Sequence, residues 1–288
     1  MPAERWLEYA QVHGTEHTVS GRVVVWPRLE GAESIPAREI MVYLPPSLAD
    51  GWRNGQPPGP GGRRYPTLYF HDGQNVFDER TSYTGEWRVD ETLQQLASEG
   101  QEAIAVAIPN AGDARMDEYN PWSSREHWWR GGRRVGGKGD AYLDWLVGCV
   151  KPLIDRSFPT ADTREATGVV GSSMGGLISL YALLRYGEEF GLAAILSPSL
   201  RWNDYRVLRL IEQRGLPPAR IHLDMGGREW RGMMADARRL HALLQRRGLT
   251  EGRNLHYVEE RYAPHRESAW ARRLPGALRF LLSGCGQR

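Results

Sequence analysis

Apolar and polar positions alternate along this chain in two rhythms, and the changes between them lay out the fold. Residues 19–26 (VSGRVVVW) and 38–44 (REIMVYL) are rich in β-branched and aromatic residues and predict a leading antiparallel strand pair. After them, short apolar runs take turns with segments of helical period. Strands are predicted over 66–71, 103–108, 166–171, 192–196, 220–225 and 254–260. Helices are predicted over 88–99, 140–156, 175–186, about 205–214, 231–247 and about 268–282. The run 103–108 (AIAVAI) has no polar face, as a strand covered on both sides requires. Repeated strand–helix units imply an α/β fold: a mostly parallel central sheet, right-handed crossovers and helices on both faces. In such a sheet, functional residues belong just after the carboxyl ends of the strands.

Composition narrows the class without changing this picture. The chain has 288 residues, 41% hydrophobic and 25% charged, which suits one domain over 1–288 with a core of about 20–283. The Gly- and Pro-rich stretch 50–64 and the Gly-rich stretch 131–139 are loops, because the periodic pattern resumes directly after each. Lys and Arg number 37 against 35 Asp and Glu, a net charge of +2 that gives no electrostatic case for a nucleic-acid partner. Two cysteines, Cys149 and Cys285, allow neither a disulfide framework nor a zinc spacing. No apolar run reaches the roughly 20 residues of a membrane span. The first residues carry no secretory apolar region, so the expected location is the cytoplasm, with no membrane partner. Nothing here fixes an oligomeric state.

The candidate chemistry begins after strand 166–171, where Gly171-Ser172-Ser173-Met174-Gly175-Gly176 leads straight into a helix. This is G-x-S-x-G in the strand–turn–helix context of a nucleophile elbow, the mark of the α/β-hydrolase fold. Ser173 is the expected nucleophile; Val170 stands where Ser172 would need its glycine. Glycines at 171 and 175 are expected because strand and helix backbones pass close together there. In this fold the triad runs serine, acid, histidine along the chain. His265 is the one histidine beyond the last strand and is the expected base. Two carboxylates compete for the acid, Glu229 past the turn Gly226-Gly227 and Asp224 at the strand end. The loop position favours Glu229, with Asp224 as the alternative. The oxyanion donors are expected at the N–H of Met174 and, from the loop His71-Asp72-Gly73-Gln74, at the N–H of Gln74. His71 and Asp72 invite a metal reading, but no ligand set with the right spacing accompanies them, so no metal and no organic cofactor are implied. Loops 109–122 and 197–203 and the segment around Trp87 are expected to line the pocket. Trp122, Trp128, Trp129 and Trp202 are placed to form an aromatic wall, and Arg115 and Arg201 to meet an anionic group, each against the plainer alternative of a packing or solvated side chain.

Taken together, these residues resemble the putative esterase (esterase D-like) family of α/β-hydrolases over roughly residues 20–283. The resemblance rests on Tyr43-Leu44-Pro45, His71-Asp72-Gly73-Gln74, Arg115 with Glu118-Tyr119, Gly171 to Gly176, Ser197-Pro198-Ser199, Gly226 with Glu229, and His265 with Trp270. It implies a serine esterase acting on a small-molecule ester, with Ser173, His265 and Glu229 in the catalytic roles. The stretch from Arg115 to Trp122, with Tyr119, looks most like the siderophore-esterase branch, alongside feruloyl and acetyl-xylan relatives. Two other readings stay open at this stage: an acyltransferase on the same fold, and a non-catalytic binding protein on a hydrolase scaffold.

Overall fold

The computed structural model describes residues 5–51, 62–124 and 134–285. Trp128 and Trp129 lie outside the described residues. Among the described residues, nine strands form one mixed sheet in the order β1-β2-β3-β5-β4-β6-β7-β8-β9. They are β1 (Leu7–Glu8), β2 (Arg22–Leu29), β3 (Arg38–Leu44), β4 (Thr67–His71), β5 (Ile104–Ile108), β6 (Thr167–Ser172), β7 (Leu192–Leu196), β8 (Arg220–Gly226) and β9 (Leu255–Glu260). Pairs β1–β2, β2–β3 and β3–β5 are antiparallel, and the pairs from β5 through β4 to β9 are parallel. The expected leading pair is therefore there, extended by the two-residue β1, which is too short to leave a periodic signal.

The period-two alternation of the central strands feeds two separate cores. Ile104, Val106 and Ile108 of β5 and Tyr69 of β4 face one side, under the helices Met174–Arg185 and Trp202–Arg214. Ala105, Ala107, Leu68 and Phe70 face the other, under Val89–Ser98 and Glu267–Leu282. These side chains are fully buried, each contributing about 1.5–3 kcal/mol for the larger apolar ones. Small alanines, Ala105 and Ala107, line the second face of β5, in the same cluster as Trp87 and Trp270.

Two helices differ from their predicted form. The segment 140–156 is Gly139–Trp145 and Lys151–Ser157 joined by a π-helical stretch, Leu146–Val150. In the helix Trp202–Arg214, Asn203, Asp204 and Tyr205 hold φ of 50°, 53° and 56°, so regular helical geometry starts only after Tyr205. Among the described residues no helix is long and apolar enough to cross a membrane, and both cysteines are free.

Candidate active site

The chain reverses between β6 and the helix Met174–Arg185 on a single residue. Ser173 sits there at φ 57° and ψ −117°, a conformation that non-glycine residues rarely adopt and that costs of order 1–3 kcal/mol. Neighbouring bonds hold it. Its N–H donates to the Leu196 carbonyl at 2.9 Å, and its own carbonyl accepts from Ser199 N–H at 3.0 Å and Leu177 N–H at 3.1 Å. The two elbow glycines are not equivalent. A Cβ on Gly171 would lie 2.5 Å from the Gly175 carbonyl group, so no side chain fits. A Cβ on Gly175 would meet only His71 Cβ at 3.4 Å and an Asp72 carboxylate oxygen at 3.5 Å, which is ordinary contact. Crowding therefore requires Gly171, and the expectation for Gly175 is corrected: its backbone, rather than a missing side chain, makes the close approach.

The Ser173 hydroxyl is half-buried and pairs with Ser199 Oγ at 3.2 Å. Across the sheet ends, Glu229 Oε2 lies 2.8 Å from His265 Nδ1. The other Glu229 oxygen accepts from Gly226 N–H at 2.8 Å and from the Ser197 hydroxyl. Ser197 Oγ in turn accepts from Trp270 Nε1 at 3.0 Å and Arg273 Nη2 at 3.1 Å. Among the described residues, Ser173 and His265 are not hydrogen-bonded to each other.

Asp224, the alternative acid, is entirely buried and faces elsewhere. Arg273 grips it through Nε at 2.8 Å and Nη2 at 3.0 Å, and Ser197 N–H donates to it at 3.2 Å. Burial alone would raise its carboxyl pKa, but the bond from His222 and the Arg273 charge bring it below the usual carboxylate range. It thus carries the guanidinium that steadies Ser197, while Glu229 meets the imidazole.

The loop after β4 lies over the first turn of the elbow helix. Gly73 is obligatory, since a Cβ there would sit 2.4 Å from Ile108 N. Gly73–Asn75 forms a 3-10 turn carrying Gln74, whose Oε1 accepts from Asn110 N–H at 3.1 Å. Met174 is the first residue of its helix, so its N–H has no carbonyl partner within that helix. Trp87 N–H donates to the Asn75 carbonyl at 2.8 Å, tying the Trp87 segment to the turn.

The residues expected to contact substrate divide. Arg115 is committed to Asp72 through two bonds of 2.6 and 2.7 Å. Burial would raise the Asp72 pKa, yet the Arg115 charge holds it below the ordinary value. Tyr119 is fully buried, with its hydroxyl accepting from Asp72 N–H at 2.9 Å and Arg115 over its ring. Trp202 is buried in the core. Trp122 packs edge-on against Tyr181 beneath Arg206, in a cleft of about 520 Å³ whose lining contains none of Ser173, Glu229 and His265. Arg201 pairs with Asp236. Arg115 and Tyr119 therefore build the underside of the Gly73 turn. Trp230, which the sequence pattern did not single out, is 66% exposed, its ring centroid 4.4 Å from that of His265. Its one signal was position, directly after Glu229. His71 is fully buried, its Nδ1 2.8 Å from the Tyr142 hydroxyl, and burial pushes its pKa down to about 4.

Comparison with known proteins places these features in a family. The family model described as Putative esterase matches residues 37–281. The chain is 27% identical to the uncharacterized protein YbbA of Bacillus subtilis over 253 residues, 85% of this chain and 92% of that protein. It is 29% identical over 151 residues to the siderophore triacetylfusarinine C esterase of Aspergillus fumigatus, spanning 50% of this chain and 47% of the relative. Its fold is similar to that of the siderophore hydrolase EstA from Aspergillus nidulans, with a TM-score of 0.69 at 19% identity, covering 92% and 95% of the two chains.

Proposed function

This chain belongs to the putative esterase family, and from that premise we propose that it hydrolyses a carboxylic ester by acyl transfer through Ser173, with His265 as base and Glu229 as acid. The observation that carries the reading is the pairing of a strained, half-buried serine on the β6 turn with a Glu229–His265 contact of 2.8 Å at the ends of β8 and β9.

The Ser173 oxygen attacks the ester carbonyl carbon while its proton passes to His265 Nε2. Glu229 holds the imidazole by its Nδ1–H and stabilises the imidazolium. The carbonyl oxygen, now an anion, takes hydrogen bonds from Met174 N–H and Gln74 N–H, aided by the positive end of the elbow helix. Collapse breaks the ester C–O bond, and the alcohol leaves with the proton from His265. Water then gives a proton to His265 and attacks the acyl carbon, and Ser173 departs reprotonated.

For substrate, a siderophore ester is the reading the partial match to the Aspergillus fumigatus esterase supports. Trp230, open to solvent beside His265, offers a flat face to the departing or acyl group. The test is hydrolysis of a panel of p-nitrophenyl, feruloyl and hydroxamate-siderophore esters by wild type and Ser173→Ala. Turnover of at least one ester, abolished by the substitution, is expected. Equal turnover by both proteins contradicts the assignment.

A further inference from the structure

At the start of the helix Val89–Ser98, Glu86, Asp90 and Glu91 each place a carboxylate oxygen within 4.8 Å of the others. Each of the three has one oxygen occupied. Thr18 Oγ donates to Glu86 at 3.3 Å, Ser20 N–H to Asp90 at 2.5 Å, and Arg88 Nε to Glu91 at 2.9 Å. Each also has one buried oxygen, Glu86 Oε1, Asp90 Oδ1 and Glu91 Oε2, with no hydrogen-bond partner among the described residues. Asp90 is the decisive member. It is fully buried, and its unpartnered oxygen belongs to a carboxylate turned into the cluster. Leaving such a group unsatisfied costs several kcal/mol.

Two chemistries relieve three converging carboxylates: a shared proton or a cation. One proton bridges one pair of oxygens and leaves the third orphaned. A cation meets all three. All ligands are oxygens, which selects a hard divalent ion. Calcium accepts several carboxylates in flexible geometry, whereas magnesium keeps several waters and usually takes only one or two carboxylates. We propose that Glu86, Asp90 and Glu91 form a structural binding site for a divalent cation, calcium suiting a set of three carboxylates best.

The bound ion would clip the Thr18–Ser20 segment to the start of the helix. It would also steady Trp87, which bonds to the carbonyl of Asn75 in the turn that carries Gln74. The site is thus a brace for the fold, independent of whether Ser173 is a nucleophile.

The test uses the full chain, stripped with EDTA and desalted, then titrated with calcium chloride or magnesium chloride in a calorimeter and followed by thermal unfolding. Saturable binding of one calcium per chain is expected, tighter than magnesium. Calcium at one hundred times its Kd should raise Tm by about 4–5 °C. Asp90→Asn, and the half-buried Glu86→Gln as a second variant, should each weaken calcium at least tenfold. Absence of saturable binding by the stripped wild type overturns the proposal, as does unchanged calcium affinity in a folded variant.

Discussion

Replacing Glu229 by glutamine isolates the contribution of its charge, because the two side chains have nearly the same shape. Glu229 Oε1 already accepts from Gly226 N–H and the Ser197 hydroxyl. The glutamine oxygen will keep those bonds, since a donor there would face two donors. The amide nitrogen then points at His265 Nδ1, where the carboxylate oxygen stood at 2.8 Å. That nitrogen donates, so Nδ1 must accept, and the imidazole proton moves to Nε2. A protonated Nε2 cannot take the Ser173 proton. The variant has lost both the right tautomer and the anion that stabilises the imidazolium, with little steric change at a side chain only 1% exposed. The expected loss in kcat is about 10³–10⁴-fold, or about 4–5.5 kcal/mol of transition-state stabilisation. Steady-state hydrolysis of p-nitrophenyl acetate measures it, with circular dichroism and Tm confirming the fold. A loss smaller than tenfold in a folded variant would refute the reasoning and remove Glu229 from the acid role.

Other positions make distinct predictions. Gly171→Ala should fail to fold or lose more than about 3 kcal/mol through overpacking against the Gly175 carbonyl, whereas Gly175→Ala should stay within about 1 kcal/mol, both read by urea denaturation. His71 is held neutral by burial with a pKa of about 4 against an ordinary 6.5, so its contribution is complete above pH 6.5 and lost as pH falls towards 4. Between pH 7.5 and 5 this should cost about 2 kcal/mol, and His71→Gln should flatten that part of the stability–pH curve; an unchanged slope counts against it. Asp72→Asn leaves the Arg115 guanidinium without its carboxylate and should destabilise by about 3–5 kcal/mol in thermal or urea unfolding, tempered by Arg115's partial exposure. Trp230→Ala should lower kcat/KM for an aryl ester about 2–10-fold more than for the acetyl ester, and equal effects would exclude ring contact.

The alternation of strands and helices was readable in sequence because burial imposes a period on every element. AIAVAI in β5 and the elbow GSSMGG are local signals of that kind. The two carboxylates at the end of β8 were also readable, and the loop position favoured Glu229, but the contacts that hold Asp224 apart were not. Asp224 lies in the last residues of β8 and Glu229 three residues past its end, and what separates them is Arg273, about fifty positions away, which captures Asp224. Arg115 and Tyr119 illustrate the same limit. Their spacing after β5 put them near the site, yet Asp72, from another loop, turns them into supports for the Gly73 turn. Trp122 and Trp202 were ambiguous since an aromatic ring packs under a loop or faces a ligand with the same composition around it. The three carboxylates at 86, 90 and 91 carry no motif in the sequence; it is the fold that brings Thr18 and Ser20 onto Glu86 and Asp90.

The most direct test of the central claim is mass spectrometry of the protein treated with a fluorophosphonate, with peptide mapping of the adduct in wild type, Ser173→Ala and His265→Ala. The account predicts one adduct per chain, on Ser173 of the wild type, none on Ser173→Ala, and labelling slowed at least a hundredfold in His265→Ala. No adduct, or an adduct on another residue that persists in Ser173→Ala, would contradict it.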